Sequence, residues 1–230
     1  MSTRFIATMI TIHHCVSARS LRPVWMCEEM GLPYQLRLLP FPPRVQRKDY
    51  LAINPLGTVP WLEDGDITLS ESVAMCQYLA ARYGNGQWDV DAHDPRFGDY
   101  LNALHFGEAT LTFPQTLLLR YAHFESPERR QPQVVEDYTR WFMGRLKALP
   151  LRLQGQPYLC GERFTAADVS VGYALLVNTY LDLDQAWPPQ VRAYWERLSE
   201  RPALQRALAR EQRDAVAQGV DPTPSPALRP

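Results

Sequence analysis

These 230 residues contain no long basic run, no apolar stretch long enough to span a bilayer and no paired-cysteine motif. Each absence removes a class of function. With 24 basic against 25 acidic side chains the formal charge is −1, so nothing in the composition draws the chain to nucleic acid or to an anionic membrane surface. The longest apolar stretches fall far below the roughly 18 residues a spanning helix requires. The four cysteines, Cys15, Cys27, Cys76 and Cys160, have neither CxxC nor metal-ligand spacing. That pattern argues against a disulfide framework or a zinc site and for a reducing, cytoplasmic setting. The segment Phe5 to Ile12 is mildly apolar but lacks a small-residue cleavage site, and Thr8, Thr11, His13 and His14 interrupt it. It reads as a strand rather than a signal peptide.

The first third of the chain alternates strand and helix. A strand ending near His13 precedes an amphipathic segment with Leu21, Val24, Trp25 and Met30 at apolar positions. Pro23 is tolerated there because first-turn N–H groups lack helical acceptors, and Gly31 stands where a left-handed cap ends the helix. Tyr34, Leu36 and Leu38 alternate with Gln35 and Arg37 as a second strand. Val59 to Leu62 and Ile67 to Leu69 flank Asp64-Gly65, a hairpin signal. Val73, Cys76, Leu79 and Tyr83 then share a helical face ending at Gly84. The order strand, helix, strand, Pro-rich loop, strand, strand, helix matches a thioredoxin-like α/β domain over residues 1–86. Asp94-Pro95 opens a second region. From 95 to 217 the periodicity is helical throughout, with helices expected near 95–124, 128–149, 166–181, 189–199 and 202–217. Residues 218–230, rich in proline, read as a disordered tail.

The run Asn54-Pro55-Leu56-Gly57-Thr58-Val59-Pro60-Trp61-Leu62, followed by Glu71-Ser72, carries the chemical information. It resembles the glutathione transferase family, whose N-terminal domain holds an NPxGxVPxL run and a later Glu-Ser pair. The resemblance implies a cis peptide before Pro60, with Val59 offering backbone groups to the cysteinyl amide of glutathione. It further implies that Ser72, at a helix N-terminus, receives the γ-glutamyl carboxylate and Glu71 its ammonium, roles that suit their chemistry. The likeness continues at Phe164-Thr165-Ala166-Ala167-Asp168-Val169. Here Thr165 and Asp168 form a capping box, with Thr165 accepting from the Asp168 N–H, and Phe164 and Val169 form a hydrophobic staple. Asp168 is therefore structural rather than catalytic.

The chemistry implied is ionisation of the glutathione thiol, whose free pKa resembles a cysteine's, about 8.5. A two-unit drop asks for about 2.7 kcal/mol of thiolate stabilisation. A hydroxyl hydrogen bond and a helix N-terminus suffice. The hydroxyl must lie after the first strand, in His14-Cys15-Val16-Ser17-Ala18-Arg19-Ser20-Leu21-Arg22. Ser17, Ser20 and Arg22 resemble the Ser-x-x-Ser-x-Arg pattern of serine-type members, which makes Ser17 the catalytic candidate and Ser20 a helix cap. Cys15 and Ser20 stay open as alternatives. The family's thiol-reductase types carry cysteine at the positions of Ser17 or Arg19, and this sequence departs from both. Arg47, in a loop with other cations, resembles the basic residue that holds the glycyl carboxylate. A second substrate is expected against the first long helix of the helical region, where Tyr100, Leu104, His105, Phe106 and Leu111 lie, although such residues also suit a plain core. Glutathione is then the cosubstrate and no metal is called for. A homodimer acting in detoxification of a small electrophile, without nucleic acid or membrane partners, completes the expectation. Alternatives on the same fold are an isomerase, a dehalogenase, a thiol-disulfide reductase or a non-enzymatic stress protein.

Overall fold

The computed structural model describes residues 9–224. Strand β1 (Ile10–His14) runs parallel to β2 (Tyr34–Leu38) and antiparallel to β3 (Trp61–Asp64), which pairs antiparallel with β4 (Ile67–Leu69). The four strands lie in the order β2-β1-β3-β4. Helix α1 (Leu21–Met30) crosses from β1 to β2, as parallel neighbours require, and ends on Gly31 with φ +62°. A short helix α2 (Pro43–Gln46) leads into the loop before β3, and α3 (Ser72–Tyr83) follows β4. The strand and helix order expected for a thioredoxin-like domain is thus present. The start of the strand placed over Phe5 to Ile12 lies partly outside the described residues.

The rest is helical. Helix α4 (Phe97–His105) continues through a π-helical stretch, Phe106–Thr112, into α5 (Phe113–Leu119) and a second π turn, Arg120–Phe124. Wide turns of this kind mark places where side chains are re-aimed, often at functional sites. Then come α6 (Pro132–Leu146), α7 (Leu149–Leu153), α8 (Ala166–Tyr180), α9 (Pro189–Ser199) and α10 (Pro202–Ala217). Helix α8 is buried from Ala166 to Asn178, as an apolar helix surrounded by others should be. Gly107 lets the π-helical stretch approach it, because a Cβ there would collide with the Ser170 backbone.

One apolar core runs through both halves. Ile12 and Leu62 from the sheet, Trp25 from α1, Leu79 from α3, Leu104 from α4 and Val171 from α8 all belong to it. Trp25 is fully buried, and truncating such a ring costs about 3–5 kcal/mol. The capping box forms at the start of α8: Thr165 N–H donates to Asp168 Oδ2 at 2.8 Å. The Thr165 side chain takes up the Asp168 N–H as expected and also accepts from Ala167 N–H at 3.3 Å, and Asp168 N–H is shared with the Thr165 carbonyl at 3.0 Å. Asp168 Oδ1 also accepts from Leu159 N–H and the Tyr194 hydroxyl, so the carboxylate joins three segments.

At its start, the stretch expected to be a tail from residue 218 is bound to the fold. Gln218 accepts from Leu38 N–H at 2.9 Å and donates to the Leu36 carbonyl at 3.0 Å. Its side chain thereby satisfies the open edge of β2, which would otherwise expose unpaired backbone groups. Val220 packs against the core. Residues 225–230 of that tail lie outside the described residues. No helix among the described residues is long and apolar enough to cross a membrane.

Candidate active site

Three side chains competed for the role of thiol partner, and the β1–α1 loop separates them. Cys15 is fully buried with its Sγ 3.9 Å from the Pro40 carbonyl, and burial pushes its thiol up to about 12. Ser20 is also fully buried. It occupies the N-cap position of α1 but makes no cap bond, because its Oγ lies 2.7 Å from His14 Nδ1. The helix-cap role expected of Ser20 is therefore replaced by a bond back to β1. Ser17 lines a cleft between the sheet half and the helical half. Its Oγ is buried and has no hydrogen-bond partner among the described residues. A buried hydroxyl left unpaired costs about 1–3 kcal/mol, a cost that a ligand group reaching it would recover.

Ser17 holds a left-handed backbone, φ +62°, which costs a non-glycine residue about 1–3 kcal/mol. Both neighbouring peptide groups are pinned from the helical half. Ser17 N–H donates to Glu211 Oε2 at 3.0 Å, and the Ser17 carbonyl accepts from the Tyr173 hydroxyl at 3.1 Å. Alternation along β1 sends the two adjacent histidines to opposite faces. His14 turns toward α10 and bonds Glu211, whereas His13 packs against the Tyr50 ring, tilted by 37°, and pairs with Glu63 at 3.4 Å. Burial lowers the His13 pKa, and Glu63 opposes that shift.

The cleft measures about 710 Å³. On the sheet side, Val59 precedes a cis Pro60 and lines the cleft. The loop before it is held by Thr58, whose carbonyl accepts from the Tyr50 hydroxyl at 2.9 Å and Asn54 Nδ2 at 2.8 Å. Gly57 has φ +59°, and a Cβ there would come within 2.6 Å of Arg44 Cβ. Glycine thus admits α2 against this loop and brings Arg44 to the cleft. Arg47, expected to hold the glycyl carboxylate, does not line the cleft. It forms a two-bond pair with Asp49, at 3.0 and 2.7 Å, on the surface. Arg44 is the cation of that loop placed at the cleft.

Glu71 is the N-cap residue of α3 with an exposed side chain, and Ser72 begins the helix. Neither lines the same cleft surface as Ser17. The Ser72 hydroxyl accepts from Arg22 Nη1 at 3.0 Å. Arg22 is fully buried, with further bonds to Glu108, Thr112 Oγ1 (2.7 Å) and the Ser170 carbonyl (3.1 Å), and it stacks on the Tyr173 ring. Glu108 also pairs with Arg19 at 2.6 Å. Burial works against the Arg19 cation, but Glu108, with smaller help from Tyr173 and Glu71, outweighs it and raises the pKa. Burial likewise opposes the Glu108 charge, and Arg22 and Arg19 overcome it and lower its pKa. A cation cluster therefore joins Ser72 to the wall of the cleft.

The helical wall differs from the expectation. Tyr100, Leu104, Phe106 and Leu111 are buried in the core and His105 points to solvent. The lining begins at the very next residue, Thr112, and includes Gln115, Arg120, Tyr173 and Tyr180. At one end Phe41 meets Phe124 from the helical half, ring centroids 5.1 Å apart. Arg44, Tyr173 and Glu211 escaped the sequence reading; only Arg44, sharing a loop with Arg47, left a local signal. Among the described residues no group of three or more His, Cys, Asp or Glu could hold a metal ion.

Known proteins resemble this chain over most of its length. Residues 16–82 match the model for the glutathione S-transferase N-terminal domain, and residues 116–211 match that for the C-terminal domain. A probable glutathione S-transferase of Oryza sativa subsp. japonica is 31% identical, the match covering 82% of this chain and 90% of the relative. Glutathione S-transferase 3 of Schizosaccharomyces pombe is 25% identical over 95% of this chain and 97% of its own. A glutathione transferase crystal structure from Methylococcus capsulatus superposes with a TM-score of 0.74 at 26% identity, covering 92% of this chain and 99% of that one. The loop hydroxyl, the Val59-Pro60 turn, the Glu71-Ser72 helix start and the helical half thus sit in a chain that belongs to the glutathione S-transferase family.

Proposed function

We propose that the protein is a glutathione transferase that binds glutathione in the cleft, holds its thiolate with Ser17 and directs it onto a small electrophile. The observation that carries this reading is the buried, unpartnered Ser17 Oγ on the same cleft as Val59. In this arrangement the Val59 backbone pairs with the cysteinyl amide and Arg44, in place of Arg47, meets the glycyl carboxylate. The γ-glutamyl end reaches Glu71 and Ser72 at the start of α3, where N–H groups favour a carboxylate. Glutathione enters as cosubstrate.

The Ser17 O–H then donates to the sulfur. A hydrogen bond to a charged group contributes about 1.5–3 kcal/mol, and the N-terminus of the ten-residue α1 adds about 0.3–1 kcal/mol. Together these cover the 2.7 kcal/mol or so that two pKa units demand. The thiolate attacks the electrophilic carbon of the second substrate, forming the C–S bond as the leaving group departs with its electron pair. The wall around Tyr173, Val177 and Tyr180 is the apolar surface offered to that substrate. A cysteine-based reductase is disfavoured because burial keeps Cys15 protonated. We further read the exposed apolar Leu51, Ile53 and Leu56 as part of a homodimer face, and the protein as a cytoplasmic detoxification enzyme.

Calorimetry with glutathione and with S-methylglutathione, followed by turnover of a general aryl halide, tests the reading. Binding of both and turnover with glutathione are expected. Absence of glutathione binding in folded protein overturns it, and binding without any turnover reduces the protein to a glutathione-binding one.

A further inference from the structure

The β1–α1 loop closes on its own turn bonds, Ala18 N–H to the Cys15 carbonyl at 3.0 Å and Leu21 N–H to the Ala18 carbonyl at 2.9 Å, and is bonded besides to a residue from the far end of the chain. Glu211 of α10 is only 1% exposed and lies against the loop that carries Ser17. A single oxygen, Oε2, accepts from Ser17 N–H at 3.0 Å and stands 2.8 Å from His14 Nε2. The other imidazole nitrogen reaches Ser20 Oγ at 2.7 Å. His14 and Ser20 thus clasp the two ends of the loop, and the carboxylate fastens the clasp to its middle. Ser20, His14 and Glu211 form a serine–histidine–carboxylate chain, yet all three are fully buried and the serine does not line the cleft of Ser17. Nucleophilic chemistry on that chain has no access to a substrate. What the chain does reach is the peptide of Ser17.

We propose that Glu211 is the positioning residue of the active site, holding Ser17 in its left-handed conformation so that the hydroxyl meets the glutathione sulfur. Three observations carry this. The φ of +62° is one that a serine does not keep without support. Glu211 is the acceptor for the Ser17 N–H, and without it a buried donor is left unpaired. Among the described residues the Ser17 Oγ itself makes no bond that could fix the loop. The Tyr173 bond to the Ser17 carbonyl and the turn bond from Ala18 N–H to the Cys15 carbonyl at 3.0 Å leave the Ser17 N–H to Glu211. With the N–H released, the loop can relax toward an ordinary backbone and carry Oγ away from the cleft. The carboxylate therefore acts through Ser17 and does not touch glutathione.

This inference rests on Ser17 being the thiolate partner, and the experiment separates the two. The readout is the pKa of bound glutathione, followed by thiolate absorbance in the ultraviolet, together with kcat/KM near neutral pH and binding of S-methylglutathione. Ser17→Ala is compared with Glu211→Met, which keeps the volume but has no carboxylate, and with Glu211→Asp, which keeps the charge but withdraws it from the loop. Glu211→Gln retains an acceptor oxygen. In folded protein the Met and Asp variants should raise the thiol pKa by about one unit, lowering turnover about tenfold, while S-methylglutathione still binds. Adding either change to Ser17→Ala should shift the pKa no further, and Glu211→Gln should lie closer to the parent than the other two.

A purely structural Glu211 would lower thermal stability and leave the bound thiol unchanged. A parental pKa in Glu211→Met or Glu211→Asp, with a raised one in Ser17→Ala, overturns the positioning role and spares Ser17. A parental pKa in Ser17→Ala overturns both. If Glu211→Met fails to fold, Glu211→Asp decides alone.

Discussion

Replacing Glu108 by alanine should destabilise the protein far more than removing Arg19, although each change breaks an ion pair with the same carboxylate. Arg22 has no exposed side-chain surface, Glu108 has 23% and Arg19 has 44%. The remaining partners of Arg22 are neutral: hydroxyls of Ser72 and Thr112, backbone carbonyls and the Tyr173 ring. Loss of Glu108 leaves a buried cation without its carboxylate, and breaking such a pair costs about 3–5 kcal/mol. Because Glu108 keeps some contact with water, the lower end applies, about 3 kcal/mol. Arg19→Ala loses a half-exposed pair and should cost less than about 1 kcal/mol. The sign of the pH dependence follows from the lowered Glu108 pKa. The pair's contribution is complete above the ordinary glutamate value of about 4.3 and is lost as pH falls through the folded value. The deficit of Glu108→Ala should therefore shrink in acid. Urea unfolding followed by tryptophan fluorescence, at fixed protein concentration because assembly would shift the midpoint, measures all three points. Equal losses for Glu108→Ala and Arg19→Ala would refute the reasoning.

Asp168→Ala removes the cap of α8 and strands the Leu159 N–H and Tyr194 hydroxyl. A loss of about 3 kcal/mol is expected from the cap and the buried donors together, with turnover intact in folded protein; normal stability with lost activity would contradict the structural role. Burial pushes the thiols of Cys15 and Cys76 to about 12 and Cys160 to about 11, and raises Cys27 as well. At pH 8 on the order of one Cys15 in 10⁴ is a thiolate, so a thiol-reactive probe should label none of the four until the protein is denatured. Arg44→Ala should weaken glutathione binding about tenfold, roughly 1.4 kcal/mol, while Arg47→Ala leaves it unchanged. Calorimetry giving the reverse order would return the glycyl carboxylate to Arg47.

The parts of this protein legible in sequence are those specified by neighbours a few residues away. Alternating Tyr34, Leu36 and Leu38, the Gly31 cap, the hairpin signalled at Asp64-Gly65 and the Thr165-Asp168 box each depend on local geometry, and each appears in the fold, the hairpin turning one residue later, on Gly65-Asp66. Ser17 could be named as a candidate because the loop after β1 is short. Arg44 and Arg47 were not separable, since both lie in one loop and only its path decides which turns inward. Gly57 admits α2, and Arg47 swings to Asp49 at the end of that helix. Glu211 stands 194 residues from Ser17 and Tyr173 stands 156 away. Nothing in their own surroundings on α10 or α8 announces a partner in the first loop. Tyr100, Leu104 and Phe106 have the apolar character of a pocket wall, but the same character serves the core, and packing against α8 claimed them. Gln218 read as tail because a single polar side chain can close a strand edge without any periodic signal.

The central claim is that the Ser17 hydroxyl meets the glutathione sulfur, and a crystal structure of the complex tests it most directly. The sulfur should lie within hydrogen-bonding distance of Ser17 Oγ, with the cysteinyl amide on the Val59 backbone and the glycyl carboxylate near Arg44. A sulfur directed elsewhere in the cleft, or joined to Cys15 as a mixed disulfide, would contradict it.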